Sequence, residues 1–470
     1  MASATVTASV VPGIGSAAAG PAPAQAGGGL GYDETIEISV TDIEEFWADA
    51  LPASYDIEYE TIDDLLPYDS STDVETISDC FEGASYEDVA DNALYCLLDD
   101  RVVYDDEGLF PRLFDDFGPF SIAMVLAHEW GHAIQGRILT FDEFVNAPSI
   151  QKELQADCFA GAWVGYVDEG SSQNLVLEAG DIEIGLAGML EFSDPLGNDP
   201  TTQGAHGNGF DRVNAFSEGF EQGVDRCAEY ESTLPPVTEL PFTSETDLAN
   251  EGNLPLDDAL DIGVQDLDLY WEAVFEVNEL AYESVSEVVP YRVRRRSTLP
   301  ACESLELSPR RPRDYAGLVF YCEDDDFIAF DERLISAVHS EIGDFGAINL
   351  IGNAWAEAMQ SSTRLDLANG SDIDVALQAD CFAGAWAGSV PIDLDGDGLG
   401  DFAARGTEIV RDDAVILLSP GDLDEVVSSM LQLTAAEEDI GEISAFERVQ
   451  AFRLGFFSTT AESDCAALTG

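Results

Sequence analysis

A chain of 470 residues with 46% hydrophobic and 10% aromatic content carries enough apolar material for two to four packed domains, which excludes a mainly disordered protein. Its formal net charge of −74 is the sum of 93 acidic residues against 19 lysines and arginines, and Lys152 is the only lysine. Such a surface repels nucleic acid and anionic membranes and is best tolerated where salt screens it, so a saline habitat and an acidic secreted protein both fit.

The first 26 residues of the expected tail 1–35 are small, apolar and rich in Ala, Gly and Pro. Ala24-Gln25-Ala26 has the form of a signal-peptidase site, but no Lys or Arg precedes it. The segment reads either as a signal remnant or as a flexible tail. No uninterrupted apolar run reaches transmembrane length. Further on, Tyr95-Cys96-Leu97-Leu98-Asp99-Asp100-Arg101-Val102-Val103-Tyr104 has the β-branched and aromatic content of an edge strand, placed here above a cleft where it could pair with an extended peptide.

The spacing then predicts a helix over 120–139. Ile122, Val125, Leu126, Ala133 and Ile134 supply its packing positions, while His128, Glu129 and His132 share a polar edge. Residues four apart stack on one helical face, so His128 and His132 can grip one zinc ion with Glu129 beside them as a base. On the next predicted helix Glu153 and Asp157 are again four apart. Glu153 can complete a His/His/Glu site that leaves a fourth position for water. Asp157 can accept the second ring N–H of a ligand histidine. His206 and Arg212 follow as candidates to steady an oxyanion, against a plain reading as a loop histidine and a salt-bridged arginine. Gly180-Asp181 suits a helix start.

HEWGH, then ELQADCFAGAW, then the His206 and Arg212 pair, with a cysteine pair around a Tyr-Cys element upstream, resembles the neutral zinc metallopeptidase family, which is similar to gluzincins. The resemblance implies a zincin-like, mostly helical α+β fold. It also implies zinc bound by His128, His132 and Glu153, Glu129 as general base, Asp157 behind the ligands, and a peptide or protein substrate. The spacing of His206 and Arg212 resembles the transition-state pair of integral-membrane gluzincins. A membrane anchor, common in the family, is not evident here.

The chain also reads as a tandem duplication. Leu154 to Trp163 recurs, identical over ten residues, as Leu377 to Trp386, and Tyr95-Cys96 is echoed by Tyr321-Cys322. Phe210-Asp211-Arg212-Val213 is echoed by Phe446-Glu447-Arg448-Val449, at an offset that rises from 223 to 236 because of an insertion near residue 395. The expected units are 36–235 and 259–470, joined by an acidic, proline-containing linker at 236–258. Seven arginines between Arg292 and Arg313 read as a docking patch, a processing site at Arg294-Arg295-Arg296, or local counter-charge.

Aligning Phe120 with Phe345 sets HEWGH against Asn353-Ala354-Trp355-Ala356-Glu357, Glu153 against Ala376 and His206 against Glu442, while Asp380, Cys381, Trp386 and Arg448 persist. The second unit is therefore expected to be a pseudoenzyme, giving one zinc per chain, and His339 to be a surface residue. Each unit has four cysteines and no CxxC. Three pairings are possible per unit; the sequential one is expected, Cys80–Cys96, Cys158–Cys227, Cys302–Cys322 and Cys381–Cys465, in an oxidising, extracytoplasmic compartment. Asp393, Asp395, Asp397 and Asp401, with glycines between them, have the layout of a calcium loop or of an acidic flexible insertion. The sequence leads to a zinc metalloendopeptidase. Its rivals are a secreted binding or scaffold protein with structural or no zinc, and a zinc hydrolase of non-peptide amides. Oligomeric state and cleavage preference are not readable from it.

Overall fold

A computed structural model describes residues 30–200, 202, 204–233, 237–238, 242, 244–361, 364–365, 367, 371–390, 415–435, 443–458 and 461–469. Asp393, Asp395, Asp397, Asp401 and Glu442 lie outside the described residues. The chain forms two compact units, one running to 239 and the other from 240. Both are predominantly helical with a small sheet, an α+β architecture.

The first unit begins with the helix Tyr32–Tyr55, which buries Ile43, Phe46, Trp47 and Leu51. Its buried Asp42 accepts the indole N–H of Trp163 at 3.0 Å. A three-stranded sheet follows, β1 (Asp64–Tyr68), β2 (Ala93–Cys96) and β3 (Arg101–Asp105), in the order β1-β3-β2. β1 runs parallel and β2 antiparallel to β3. The expected single edge strand through Cys96–Tyr104 is corrected here. That stretch contains the end of β2, a turn in which Asp100 takes φ 50°, and the central strand β3. Val102, Val103, Tyr104 and Asp105 are all buried, which is why this run is so rich in β-branched and aromatic residues. The edge strand in that stretch is β2; the sheet's other edge is β1.

Behind the sheet lie the motif helix Pro119–Ile138, the carboxylate helix Ser149–Asp168, the helix Asp181–Leu190 and the arginine helix Gly209–Gln222. The motif helix starts from Gly118 at φ 96°, with Pro119 in its first turn where the missing N–H is harmless. The carboxylate and arginine helices touch backbone to backbone. A Cβ on Gly161 would lie 2.0 Å from the Phe216 carbonyl oxygen, and one on Gly219 would lie 1.8 Å from that of Cys158. Only glycine permits this approach.

The second unit presents the same elements in the same order. After the helix Leu256–Val277 come β4 (Glu287–Tyr291), β5 (Val319–Cys322) and β6 (Phe327–Asp331), ordered β4-β6-β5 with the same parallel and antiparallel pairings. Then follow the helices Asp344–Gln360, Asp372–Ser389, Asp422–Ala435 and Ala445–Phe457. Trp386 donates to Asp266 at 2.9 Å. A Cβ on Gly384 would meet the Phe452 carbonyl oxygen at 1.9 Å, and one on Gly455 that of Cys381 at 1.7 Å.

Four disulfides join Cys80–Cys96, Cys158–Cys227, Cys302–Cys322 and Cys381–Cys465, a sequential pairing in each unit. In both units the first bridge anchors the edge strand, and the second ties the identical ten-residue run to the unit's last helical turns. No helix among the described residues is long and apolar enough to cross a membrane.

Two smaller expectations change. Within 236–258 the structure has a short helix, Glu245–Ala249, and the start of the helix Leu256–Val277. Leu254 N donates to Asp344 Oδ2 at 2.9 Å and Asp344 N to Asn253 Oδ1 at 2.7 Å, so the end of this stretch is packed into the second unit. His339 is half-buried, with Nε2 2.8 Å from the Leu254 carbonyl oxygen, where a surface residue was expected. Of the arginine cluster, Arg292 pairs with Glu332 and Arg311 with Asp314.

Candidate metal centre and cleft

Gly131, on the motif helix between the two histidines' faces, sets the site's dimensions. A Cβ there would lie 2.8 Å from Ala156 Cα, so the motif and carboxylate helices meet almost in backbone contact. This contact brings three side chains to one point. Glu153 Oε2 lies 3.2 Å from His128 Nε2 and 3.4 Å from His132 Nε2. The three ligand atoms all fall within 4.8 Å of one another. Bonds of about 2.0–2.2 Å at the tetrahedral angle separate neighbouring ligand atoms by about 3.4 Å, so the two measured edges have the size of a zinc tetrahedron.

The ring nitrogens that face away from this point are both held. His128 Nδ1 is 2.7 Å from Asp157 Oδ1, as the sequence led us to expect. Asp157 is fully buried, and Arg212 clamps it through Nε at 2.8 Å and a terminal nitrogen at 2.9 Å. His132 Nδ1 is 3.0 Å from Gln135 Oε1. The amide of Gln135 in turn donates to the Lys152 carbonyl at 2.7 Å and to Gln155 Oε1 at 3.1 Å. Both histidines are thus presented with Nε2 toward Glu153. The sequence reading missed Gln135 and Gln155. The signal was available: Gln360 and Gln378 occupy the matching places in the second unit.

Arg212 forms the salt bridge that was the alternative to an oxyanion role. All three of its nitrogens are engaged, two with Asp157 and the third with the Met189 carbonyl at 3.1 Å, and its side chain is buried. It positions Asp157, and it still lines the cleft, where each terminal nitrogen keeps a second N–H. His206 is better placed. It lines the same cleft, its side chain is 48% exposed, and Nδ1 lies 3.5 Å from Asp194.

Burial pushes the Glu129 carboxyl up, against the opposing pull of His128 and His132. Its Oε2 accepts the backbone N–H of Tyr95 at 2.7 Å. That bond fixes which edge of β2 faces the metal centre. Asn92 O accepts from Asp105 N on the β3 side, so by the strand's alternation Ala93 and Tyr95 direct their backbone groups into the cleft. For Glu153 burial would raise the pKa, but the two imidazoles hold it well below the usual carboxylate range. For His128 burial acts downward and is overridden by Asp157 and Glu153, which raise it to about 10. A metal must displace protons to bind such a site.

The cleft has a volume of about 270 Å³. β2 forms one wall, the metal-binding group the floor, and Met124, Phe144, Met189 and Phe192 supply apolar surface.

The corresponding place in the second unit keeps the frame and loses the ligands. Asp380 is buried and clamped by Arg448 at 2.8 and 3.1 Å, but the group it orients is the Asn353 amide at 2.6 Å. Gln360 donates to the Val375 carbonyl at 3.1 Å and to Gln378 at 2.6 Å. Glu357 stands where His132 does and accepts the backbone N–H of Tyr321, the counterpart of Tyr95. Burial, opposed by Arg448, raises its pKa to about 7.

Comparison with known proteins agrees with the first unit's chemistry. Residues 31–230 match the family described as "Putative neutral zinc metallopeptidase". That part of the chain is similar to this family. The protein is 31% identical over 154 residues to "Uncharacterized protein YpfJ" of Escherichia coli K12, covering 27% of this chain and 50% of the relative. It is 29% identical over 151 residues to "Uncharacterized protein Rv2575" of Mycobacterium tuberculosis H37Rv, covering 27% and 51%. The chain spans about half the length of the curated relatives it matches. No solved structure matches it.

Proposed function

We propose that this protein is a zinc-dependent metalloendopeptidase whose chemistry resides in the first unit. The observation that carries the reading is the convergence of His128, His132 and Glu153 at tetrahedral spacing, with Glu129 alongside and the free edge of β2 above. Two imidazoles and one carboxylate are a borderline-soft donor set that suits zinc and leaves one position for water. Zinc bound there would polarise the scissile carbonyl and supply a water acidic enough to ionise near neutral pH.

The chain's own residues supply the rest. Ala93 and the Tyr95 carbonyl pair with an extended peptide and hold its scissile bond over the floor of the cleft. Glu129 takes the proton of the attacking water on Oε1, since Oε2 is held by Tyr95, and passes it to the leaving amine. Burial raises its proton affinity toward what that shuttle needs. His206, on the facing wall, donates to the oxyanion. Asp157, Arg212 and Gln135 keep the two imidazoles turned inward.

We also infer that the second unit is a degenerate copy that binds no zinc. Its matching element order and its Asp380–Arg448 clamp support common descent; Asn353, Glu357 and Ala376, the counterparts of His128, His132 and Glu153, are a poor zinc set. The four disulfides support an extracytoplasmic location. The test is digestion of an unbiased peptide library by the zinc-loaded chain, with and without chelator. Cleavage abolished by chelation and restored by zinc is expected. A chain that binds zinc through a fourth protein ligand and cleaves nothing would instead be a scaffold.

A further inference from the structure

Lys152 is the only lysine in a chain with 93 acidic residues, and it lines the cleft immediately before the ligand Glu153. Its ammonium sits 4.9 Å from the centroid of the Phe144 ring, a cation–π contact that holds it at the wall of the cavity. Of the neighbouring basic side chains of that wall, Arg212 is paired with Asp157, and His206 Nδ1 lies 3.5 Å from Asp194. Among the described residues, Lys152 makes no ion pair. A second observation ties this lysine to the site rather than to the fold. The position has a backbone duty, since the Lys152 carbonyl accepts from Gln135; Val375 performs the same duty for Gln360 in the second unit. The duty is kept there, while the ammonium is gone along with the metal ligands.

Resting on the peptidase reading above, we propose that Lys152 selects substrates that carry a carboxylate beside the scissile bond. Glu129 and Glu153 repel an anion from the floor of the cleft; Lys152, held against Phe144, receives it at the wall. The carboxylate is either an Asp or Glu side chain or the free carboxyl terminus of the peptide. A hydrogen-bonded pair with a charged group supports a preference of about tenfold over the neutral analogue.

The test uses the full zinc-loaded chain and paired peptides that differ only in Glu against Gln at each position near the cleavage site, or in a free acid against an amide at the C-terminus. Wild type should prefer one acidic member about tenfold in kcat/KM. Lys152→Ala should collapse that ratio toward one, and Lys152→Arg should restore most of it. The position at which the ratio appears separates a side-chain carboxylate from a chain end. No preference in wild type, or one that survives in Lys152→Ala, overturns the proposal. So does an equal loss on charged and neutral peptides, which would make Lys152 a packing residue. Equilibrium binding of the same peptides to the zinc-loaded Glu129→Gln chain separates the two readings. Loss of the acidic preference on Lys152→Ala in that binding series, with no cleavage by wild type, would sink the peptidase but keep the carboxylate site. Cleavage without charge preference would do the reverse.

Discussion

Asp157 and Asp380 occupy the same buried frame, each clamped by an arginine and each bonded to a side chain on the neighbouring helix, yet only the first addresses a histidine. The difference separates what the fold requires from what the chemistry requires. The ten residues that recur without change, Leu154 to Trp163, contain the disulfide cysteine, the glycine of the helix–helix contact, the clamped aspartate, the tryptophan bonded to the first helix and the glutamine of the relay. None of these belongs to the His128, His132 and Glu153 group that could hold a metal. Glu153 lies just outside that run, and there the second unit has Ala376.

The comparison is broken most severely by removing the base. Glu129→Gln should retain zinc and lower peptide cleavage by about 10²–10⁴-fold, the usual contribution of a positioned proton-transfer group; cleavage at the wild-type rate would take Glu129 out of the mechanism. Next come the paired clamps. Asp157→Ala leaves Arg212 buried and uncompensated, at about 3–5 kcal/mol of stability, and frees the His128 ring, weakening zinc by about 10–100-fold. Asp380→Ala should cost its own unit less, because the Arg448 side chain is 32% exposed and stays hydrated when that carboxylate is removed, and leave zinc content unchanged. Denaturant titration beside metal analysis reads both, and equal zinc loss in the two variants would contradict the assignment of separate roles.

A smaller effect is expected from Gly131→Ala, which copies the Ala356 of the second unit. The added methyl would meet Ala156 and push the two ligand-bearing helices apart, at about 1–3 kcal/mol. Zinc affinity should fall with stability, and unchanged affinity would mean that the helix spacing does not set the site.

The mildest contrast is in pH. The second unit buries Asp344, Asp422 and Glu425 at the starts of two helices, with Glu425 Oε2 accepting from Phe345 N at 2.8 Å. Burial raises all three, Glu425 to about 8, and raises Glu357 to about 7. These folded-state values lie above the ordinary carboxylate range near 4. Their contribution to stability is therefore fully present below about pH 4 and is lost as pH rises through 7 to 8. Denaturation of the second unit should need progressively less denaturant from pH 5 to pH 8, and a rise over that window would contradict the sign.

Much of this was legible before the fold. Helical spacing pairs His128 with His132 and Glu153 with Asp157, and the contact between the two helices brings these pairs together. What sequence could not supply was direction. Spacing leaves Arg212 open between an oxyanion role and a salt bridge; the geometry shows the salt bridge, with all three nitrogens bonded to Asp157 or the Met189 carbonyl. The strand was placed one element too late because β3, buried on both faces, has the stronger β signature, whereas β2 is short and mixed. Gln135 was passed over because a glutamine on a helix has no chemical signature until its partner, the back of an imidazole, is seen. Its twin Gln360 would have marked it, had each unit been used to ask which polar residues persist.

The central claim is that one metal centre exists, in the first unit, held by His128, His132 and Glu153. Elemental analysis of the purified full chain and of Glu153→Ala measures it directly. The account requires one zinc per wild-type chain and a marked loss in the variant. Two zincs per chain, none at all, or one that persists undiminished without the Glu153 carboxylate would contradict it.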